Sequence, residues 1–162
     1  MRIYWTNNLD PGNLGLMARP RGNDWLFDEL RTLKTYGTDT LVSLLEQNEE
    51  AELGLQNERS ICDELSIKFI SFPIKDRSVP ASKQEFLALA EQLSTELARG
   101  RKIVIHCRMG IGRTGMLAAG VLIQHGYHSN SVFQFLSNLR TITVPDTEEQ
   151  VDWVKSTLYD RR

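Results

Sequence analysis

Ile103-Val104-Ile105-His106-Cys107-Arg108-Met109-Gly110-Ile111-Gly112-Arg113-Thr114-Gly115 is an apolar run that breaks into a glycine-rich turn, with a cysteine at one end and an arginine at the other. The three β-branched residues read as a buried strand. Met116-Leu117-Ala118-Ala119-Gly120-Val121-Leu122-Ile123, immediately downstream, reads as a buried helix. Cys107 is therefore expected between a strand end and a helix start. Backbone N–H groups at such a junction lack partners of their own and share a focus with the positive end of the helix macrodipole, so the turn is an anion cradle. The same field, with a guanidinium beside it, favours the thiolate of Cys107 over the thiol.

The rest of the turn suits phosphoryl chemistry. The segment Arg108, Met109, Gly110, Ile111, Gly112 and Arg113 is expected to bind the phosphate. Gly110, Gly112 and Gly115 would supply positive φ angles and bare backbone for close approach. Arg113 has the planar fork that holds two phosphoryl oxygens through an in-line displacement. Thr114 would donate its hydroxyl to the sulfur as the sulfur departs. Upstream lies Phe72-Pro73-Ile74-Lys75-Asp76-Arg77-Ser78-Val79-Pro80, a proline-bounded loop after the alternating Ile67, Phe69, Phe72 strand. Displacing phosphate from an alkoxide or phenoxide needs a proton donor on the far side, and Asp76 is the candidate. Aspartate in such a loop is otherwise a turn former.

His-Cys-x5-Arg-Thr resembles the signature of the cysteine-dependent protein tyrosine and dual-specificity phosphatases, matched here at His106, Cys107, Gly110, Gly112, Arg113 and Thr114. The closing Gly-x-Gly-Arg-Thr-Gly looks most like the compact, kinase-associated-phosphatase-like branch. The resemblance implies a phosphomonoester hydrolase acting through a cysteinyl-phosphate, with Asp76 as general acid on a Pro-x-x-Asp loop. His106 would order the loop backbone. Val144-Pro145-Asp146-Thr147-Glu148-Glu149-Gln150 resembles the loop that aims water at the phosphocysteine, through Thr147 and Gln150 only, because Asp146 stands where the family has glutamine. The plainer reading of that segment is a cap, Asp146 or Thr147, on a terminal helix with Val151, Val154 and Leu158 inward.

Competing readings keep the cradle and change its use: a phosphoinositide or inositol-phosphate phosphatase, a phosphate-binding pseudoenzyme, or a rhodanese-like sulfur carrier. Ile111, at a position that is basic in a lipid-directed relative, weakens the first, and Asp76 speaks against the other two. Arg19, Arg21, Arg77 and Arg108 are candidates for reading substrate charge at the mouth. Cys62 would be a resolving cysteine or, more simply, a small apolar filler. His125 and His128 flank Gly126 at a helix end, where they suit the dipole better than a metal. No metal or cofactor is called for.

A chain of 162 residues with 41% hydrophobic content and 25% charge has material for one core, so a single domain over 1–162 is expected. A net charge of −2 gives no general attraction to nucleic acid or acidic membranes. No stretch approaches a membrane span, and two cysteines suit a reducing compartment, so a cytoplasmic monomer acting on a phosphoprotein or phosphorylated small molecule is expected.

Along the chain, a strand pair (2–5, 14–18) leads to a helix opened by Asp24 and closed by Gly37, then a strand over 40–45. Short helices over 49–53 and 57–65 precede the strand at 67–72. Ser82-x-x-Glu85 opens a helix ending at Gly100, and helices over 129–140 and 147–159 follow the nucleophile segment. The order is that of an α/β fold, a central, mostly parallel sheet of about four to five strands flanked by helices, which is also the dual-specificity phosphatase fold.

Overall fold

A computed structural model describes residues 1–158, so the expected end of the last helix at Tyr159 lies outside the described residues. Five strands, β1 (Tyr4–Trp5), β2 (Asn13–Met17), β3 (Thr40–Ser43), β4 (Lys68–Ser71) and β5 (Lys102–His106), form one sheet in the order β1-β2-β5-β3-β4. Only the β1–β2 hairpin is antiparallel. The three other pairings are parallel. The sheet is thus mostly parallel, as the alternation of strands and helices implied.

Strand β5, which leads to Cys107, is the middle one, and Ile103, Val104 and Ile105 are fully buried because helices cover both faces. Ile103 and Ile105 join Leu14, Leu16 and Val42 on one face, packed by α4 (Lys83–Ala98), α5 (Gly112–Gln124), α6 (Val132–Arg140) and α7 (Glu148–Leu158). Val104 joins Met17 and Leu41 on the other, beneath α1 (Leu26–Thr35) and α3 (Glu58–Glu64). The period of two along each strand assigns alternate residues to the two clusters. A short α2 (Gln47–Glu52) stands at the strand ends.

Helix α5 is buried all round, with every residue from Met116 to Leu122 buried. It approaches α4 so closely that a Cβ on Gly120 would lie 2.9 Å from the Phe86 ring. Ser82 caps α4 by accepting the Glu85 N–H at 3.1 Å. Thr147 caps α7 by accepting the Gln150 N–H at 3.1 Å, which settles the plainer reading of that segment in favour of Thr147.

The register places the site. Met17 and Ser43 both lie opposite His106, and Ser43 lies opposite Ser71, so four parallel strands end in one row. Their following loops therefore gather along a single edge, where ligands of open parallel sheets bind.

Candidate active site

Cys107 leaves β5 at that edge and is 3% exposed, and α5 begins five residues later at Gly112. Gly110 alone of the three expected glycines has a positive φ, +73°, and a Cβ there would strike the Met17 carbonyl at 2.4 Å. Gly112 and Gly115 are helical. Their bareness serves packing instead: a Cβ would fall 2.4 Å from Asp146 Oδ2 at the first and 2.4 Å from Val144 Cγ1 at the second. The expectation of positive φ at those two positions is thus corrected, because the segment before α7 lies flat on the start of α5.

Arg113 is the largest fully buried side chain at the site, with four of its hydrogen bonds to protein groups. Nη1 donates to Glu49 Oε1 (2.7 Å) and to the Ile74 carbonyl (2.9 Å). Nη2 donates to Glu49 Oε2 (3.0 Å) and to Asp76 Oδ1 (3.1 Å). Burial alone would weaken its hold on the proton. Glu49, the Cys107 thiolate and Asp76 reverse that, and the guanidinium is held above its ordinary range. Burial likewise opposes the charge of Glu49, yet the Arg113 hydrogen bonds, the Glu46 N–H and the charges of Arg113 and Arg108 keep its carboxyl below the ordinary value. Each partner thus favours the charged form of the other.

Glu49 is a site residue that the sequence reading missed. It occupies the first turn of α2, where nothing in its neighbourhood looks like a motif, and the only signal is a buried carboxylate facing a buried guanidinium. A bidentate carboxylate fixes the plane of the guanidinium, and so the direction of its remaining donor. We expect Glu49→Gln to lower kcat by about 10²-fold through misplacement of Arg113, with thermal unfolding confirming that the variant folds. A kcat within twofold of wild type would remove Glu49 from the site.

His106 is completely buried beneath the nucleophile. Nε2 lies 2.6 Å from Glu58 Oε2 and Nδ1 3.1 Å from the Cys107 carbonyl oxygen, so both ring nitrogens are engaged. Desolvation would neutralise the ring, but Glu58 outweighs it and raises its pKa. With both nitrogens held by protein groups, the ring orders the loop backbone and is not placed to act as a base. Thr114 is also fully buried, and its hydroxyl has no acceptor among the described residues.

Asp76 lies in a tight turn closed by the Ser78 N–H donating to Lys75 O at 3.0 Å, with the next residue, Arg77, in the left-handed region at φ +59°. Its side chain is half-exposed. A cavity of about 150 Å³ brings Asp76, Arg77, Cys107, Arg108, Met109, Gly112, Arg113 and Asp146 to one wall system. Ile111, at 8% exposure, faces the core instead. Arg108 pairs with Glu49 and Glu52 at the rim. Gln150 is buried with its amide fully engaged: Oε1 accepts the Asp146 and Thr147 N–H groups, and Nε2 donates to Ser78 O at 3.0 Å. It ties the acid-loop turn to the start of α7. The larger cavity, about 610 Å³, lies at the opposite strand ends around Thr40, Lys68 and Glu96, and its central carboxylate is already satisfied by Thr40, Lys68 and Gln92.

Cys62 sits in the cluster under α1 and α3, on the sheet face opposite that of Cys107. Burial and the neighbouring Glu58 and Asp63 carboxylates push its thiol up to about 12. It is an inert filler at neutral pH. Among the described residues, no group of three His, Cys, Asp or Glu side chains is arranged to hold a metal ion, and no helix is long and apolar enough to cross a membrane.

Residues 15–127 match the family described as "Tc-R-P: Polymorphic toxin system, DSP-PTPase phosphatase". The chain is 32% identical over 96 residues to putative tyrosine phosphatase 067L of Invertebrate iridescent virus 3, which covers 57% of this chain and 37% of that protein. It is 31% identical over 122 residues to protein tyrosine phosphatase domain-containing protein 1 of Mus musculus, covering 68% and 16%. The chain thus spans well under half the length of these curated relatives. Its fold is shared with a crystal structure of kinase associated phosphatase whose catalytic-site cysteine is replaced by serine: TM-score 0.88, 21% identity, 99% of this chain and 95% of that one.

Proposed function

Since this chain belongs to the dual-specificity phosphatase family of polymorphic toxin systems, we propose that it hydrolyses phosphomonoesters through a cysteinyl-phosphate on Cys107. The observation that carries this is the meeting, in one cavity, of a nucleophile, a carboxylic acid and a guanidinium from three separate loops or elements. In the first step Cys107 Sγ attacks phosphorus, the bond to the leaving oxygen breaks, and Asp76, released from Arg113 and carrying a proton taken from solvent, gives that oxygen its proton. In the second step water attacks the phosphocysteine, the P–S pair returns to sulfur, and Asp76 takes the proton from water.

Counting donors adds a step. Of the five N–H groups of arginine, four on Arg113 are committed to Glu49, Ile74 and Asp76, which leaves Nε–H. A two-pronged grip on a phosphoryl group therefore displaces Asp76 from Nη2. Substrate binding thus frees the acid that the leaving group needs. The buried, partnerless Thr114 hydroxyl is assigned to the sulfur, where it stabilises the departing thiolate. Gln150 is assigned to bracing the acid loop and, through it, the second step. The substrates are phosphotyrosyl, phosphoseryl or phosphothreonyl side chains of a protein partner, met by one monomeric domain in a reducing, cytoplasmic setting. No nucleic acid or cofactor takes part.

Asp76→Asn tests the assignment through the leaving group. A poor leaving group must be protonated as its bond breaks, whereas an activated phenol departs nearly as the anion. The variant is expected to lose about 10²- to 10⁴-fold in kcat/KM on an alkyl phosphate, and far less on a highly activated aryl phosphate. Equal losses on both would mean that Asp76 only shapes its turn.

A further inference from the structure

Asp146 stands in the wall of the Cys107 cavity with an exposed side chain. An aspartate just ahead of a helix ordinarily caps it. At the start of α7 that task is done by others: Thr147 Oγ1 accepts the Gln150 N–H at 3.1 Å, and Gln150 Oε1 accepts the Asp146 and Thr147 N–H groups at 3.1 and 3.3 Å. The Asp146 carboxylate takes no part in the cap. Its place is nevertheless made for it, because a Cβ on Gly112 would fall 2.4 Å from Oδ2 and 3.0 Å from Cγ. Only glycine at the first position of α5 leaves room for this carboxylate.

Around it the positive charge of the cavity is largely neutralised. Arg113 lies against Glu49 and Asp76, and Arg108 against Glu49 and Glu52. Among the described residues, Arg77 is the one lining cation without a carboxylate partner, and Asp146 the one lining carboxylate without a cation. A phosphoryl group brings up to two negative charges into this space. Arg113, Arg77 and the loop N–H groups attract them, and Asp146 opposes them unless the substrate carries a cation of its own. An unpaired charge in a site is a means of rejecting ligands that lack its complement. The cavity, about 150 Å³, is well below the roughly 300 Å³ of a site that encloses a whole small ligand. A phosphorylated side chain occupies it, so the cation has to come from a neighbouring residue of the substrate and reach Asp146 from the rim. The long stems of lysine and arginine give that reach.

We propose that Asp146 is a specificity residue, which selects phosphopeptides carrying a lysine or arginine close to the phosphorylated residue. The proposal rests on the hydrolase reading for its substrate, and its test keeps the two apart. A phosphotyrosyl peptide with alanine flanks is compared with versions carrying a single lysine, or a single glutamate, at each of the three positions on either side. Affinity is read by calorimetry on Cys107→Ser protein, and kcat/KM on the wild type.

At least one lysine position is expected to gain about fivefold over the alanine parent in both, the scale of a partly exposed ion pair, and glutamate at that position to lose. The gain should fade at about 0.5 M salt. In Asp146→Asn, which is nearly isosteric, the lysine-to-alanine ratio should fall to about one. In Asp146→Lys the glutamate peptide should become the better ligand. Ratios taken within each variant remove any general change in activity or folding. Replacing Glu148 and Glu149, exposed on the first turn of α7, by glutamine should keep the ratio. No lysine position with a gain in affinity, a gain that persists in Asp146→Asn, a gain lost with Glu148 and Glu149 instead, or a preference shown for phosphoethanolamine over ethyl phosphate but by no peptide overturns the assignment. An Asp146-dependent gain in affinity without any turnover by wild type sinks the hydrolase reading and leaves the selectivity standing.

Discussion

Cys107→Ser is expected to reduce hydrolysis of an aryl phosphate by on the order of 10⁴- to 10⁶-fold, with affinity for a phosphopeptide kept. The serine is nearly isosteric, so the loop, its glycine at φ +73° and the Arg113 pairs have no reason to move. What disappears is the sulfur nucleophile. A hydroxyl needs a general base to become a nucleophile, and none is in place. The ring nitrogens of His106 are both engaged, with Glu58 and with the Cys107 carbonyl. Assays in excess chelator with calorimetry alongside separate chemistry from binding. Turnover at the wild-type rate in this variant would mean that another residue is the nucleophile.

Arg113→Lys should cost about 10³-fold in kcat, the scale of losing a preorganised transition-state donor, even though the charge is retained. The environment around this guanidinium is planar and forked: two oxygens of one carboxylate, a carbonyl and a second carboxylate lie around its two terminal nitrogens. A lysine ammonium is a single point with three donors. It would leave part of buried Glu49 without a partner and would not offer a phosphoryl group two parallel bonds. Leaving a buried acceptor without its hydrogen bond costs about 1–3 kcal/mol, so a lower Tm should accompany the kinetic loss. Normal kcat in a folded lysine variant would end the assigned role.

Much of this was legible before any coordinates because strand, turn and helix follow one another in the thirteen residues from Ile103 to Gly115. A continuous apolar run meant a strand covered on both faces, and the register of β5 between β2 and β3 agrees. Strand ends were less legible. Leu44 and Leu45 look like strand residues and are fully buried, yet β3 stops at Ser43, because burial and ladder pairing are separate demands. Gly112 and Gly115 were given the wrong reason: composition shows that a Cβ is unwelcome, and only the packed fold shows whether the obstacle is a torsion angle or a neighbour such as Asp146 or Val144. Glu49 and Glu58 were invisible because a glutamate in an acidic surface-like helix has no local signature of the arginine or histidine it meets across the fold.

The clasp between Glu49 and Arg113 joins residues 64 apart in sequence, and the brace from Gln150 to the acid loop spans 72. During synthesis the chain delivers Glu49 first, Asp76 next, Cys107 and Arg113 after them, and Gln150 last. No shorter nascent chain can carry the finished constellation. The proposed catalytic site is thus assembled by completion of the fold rather than ahead of it.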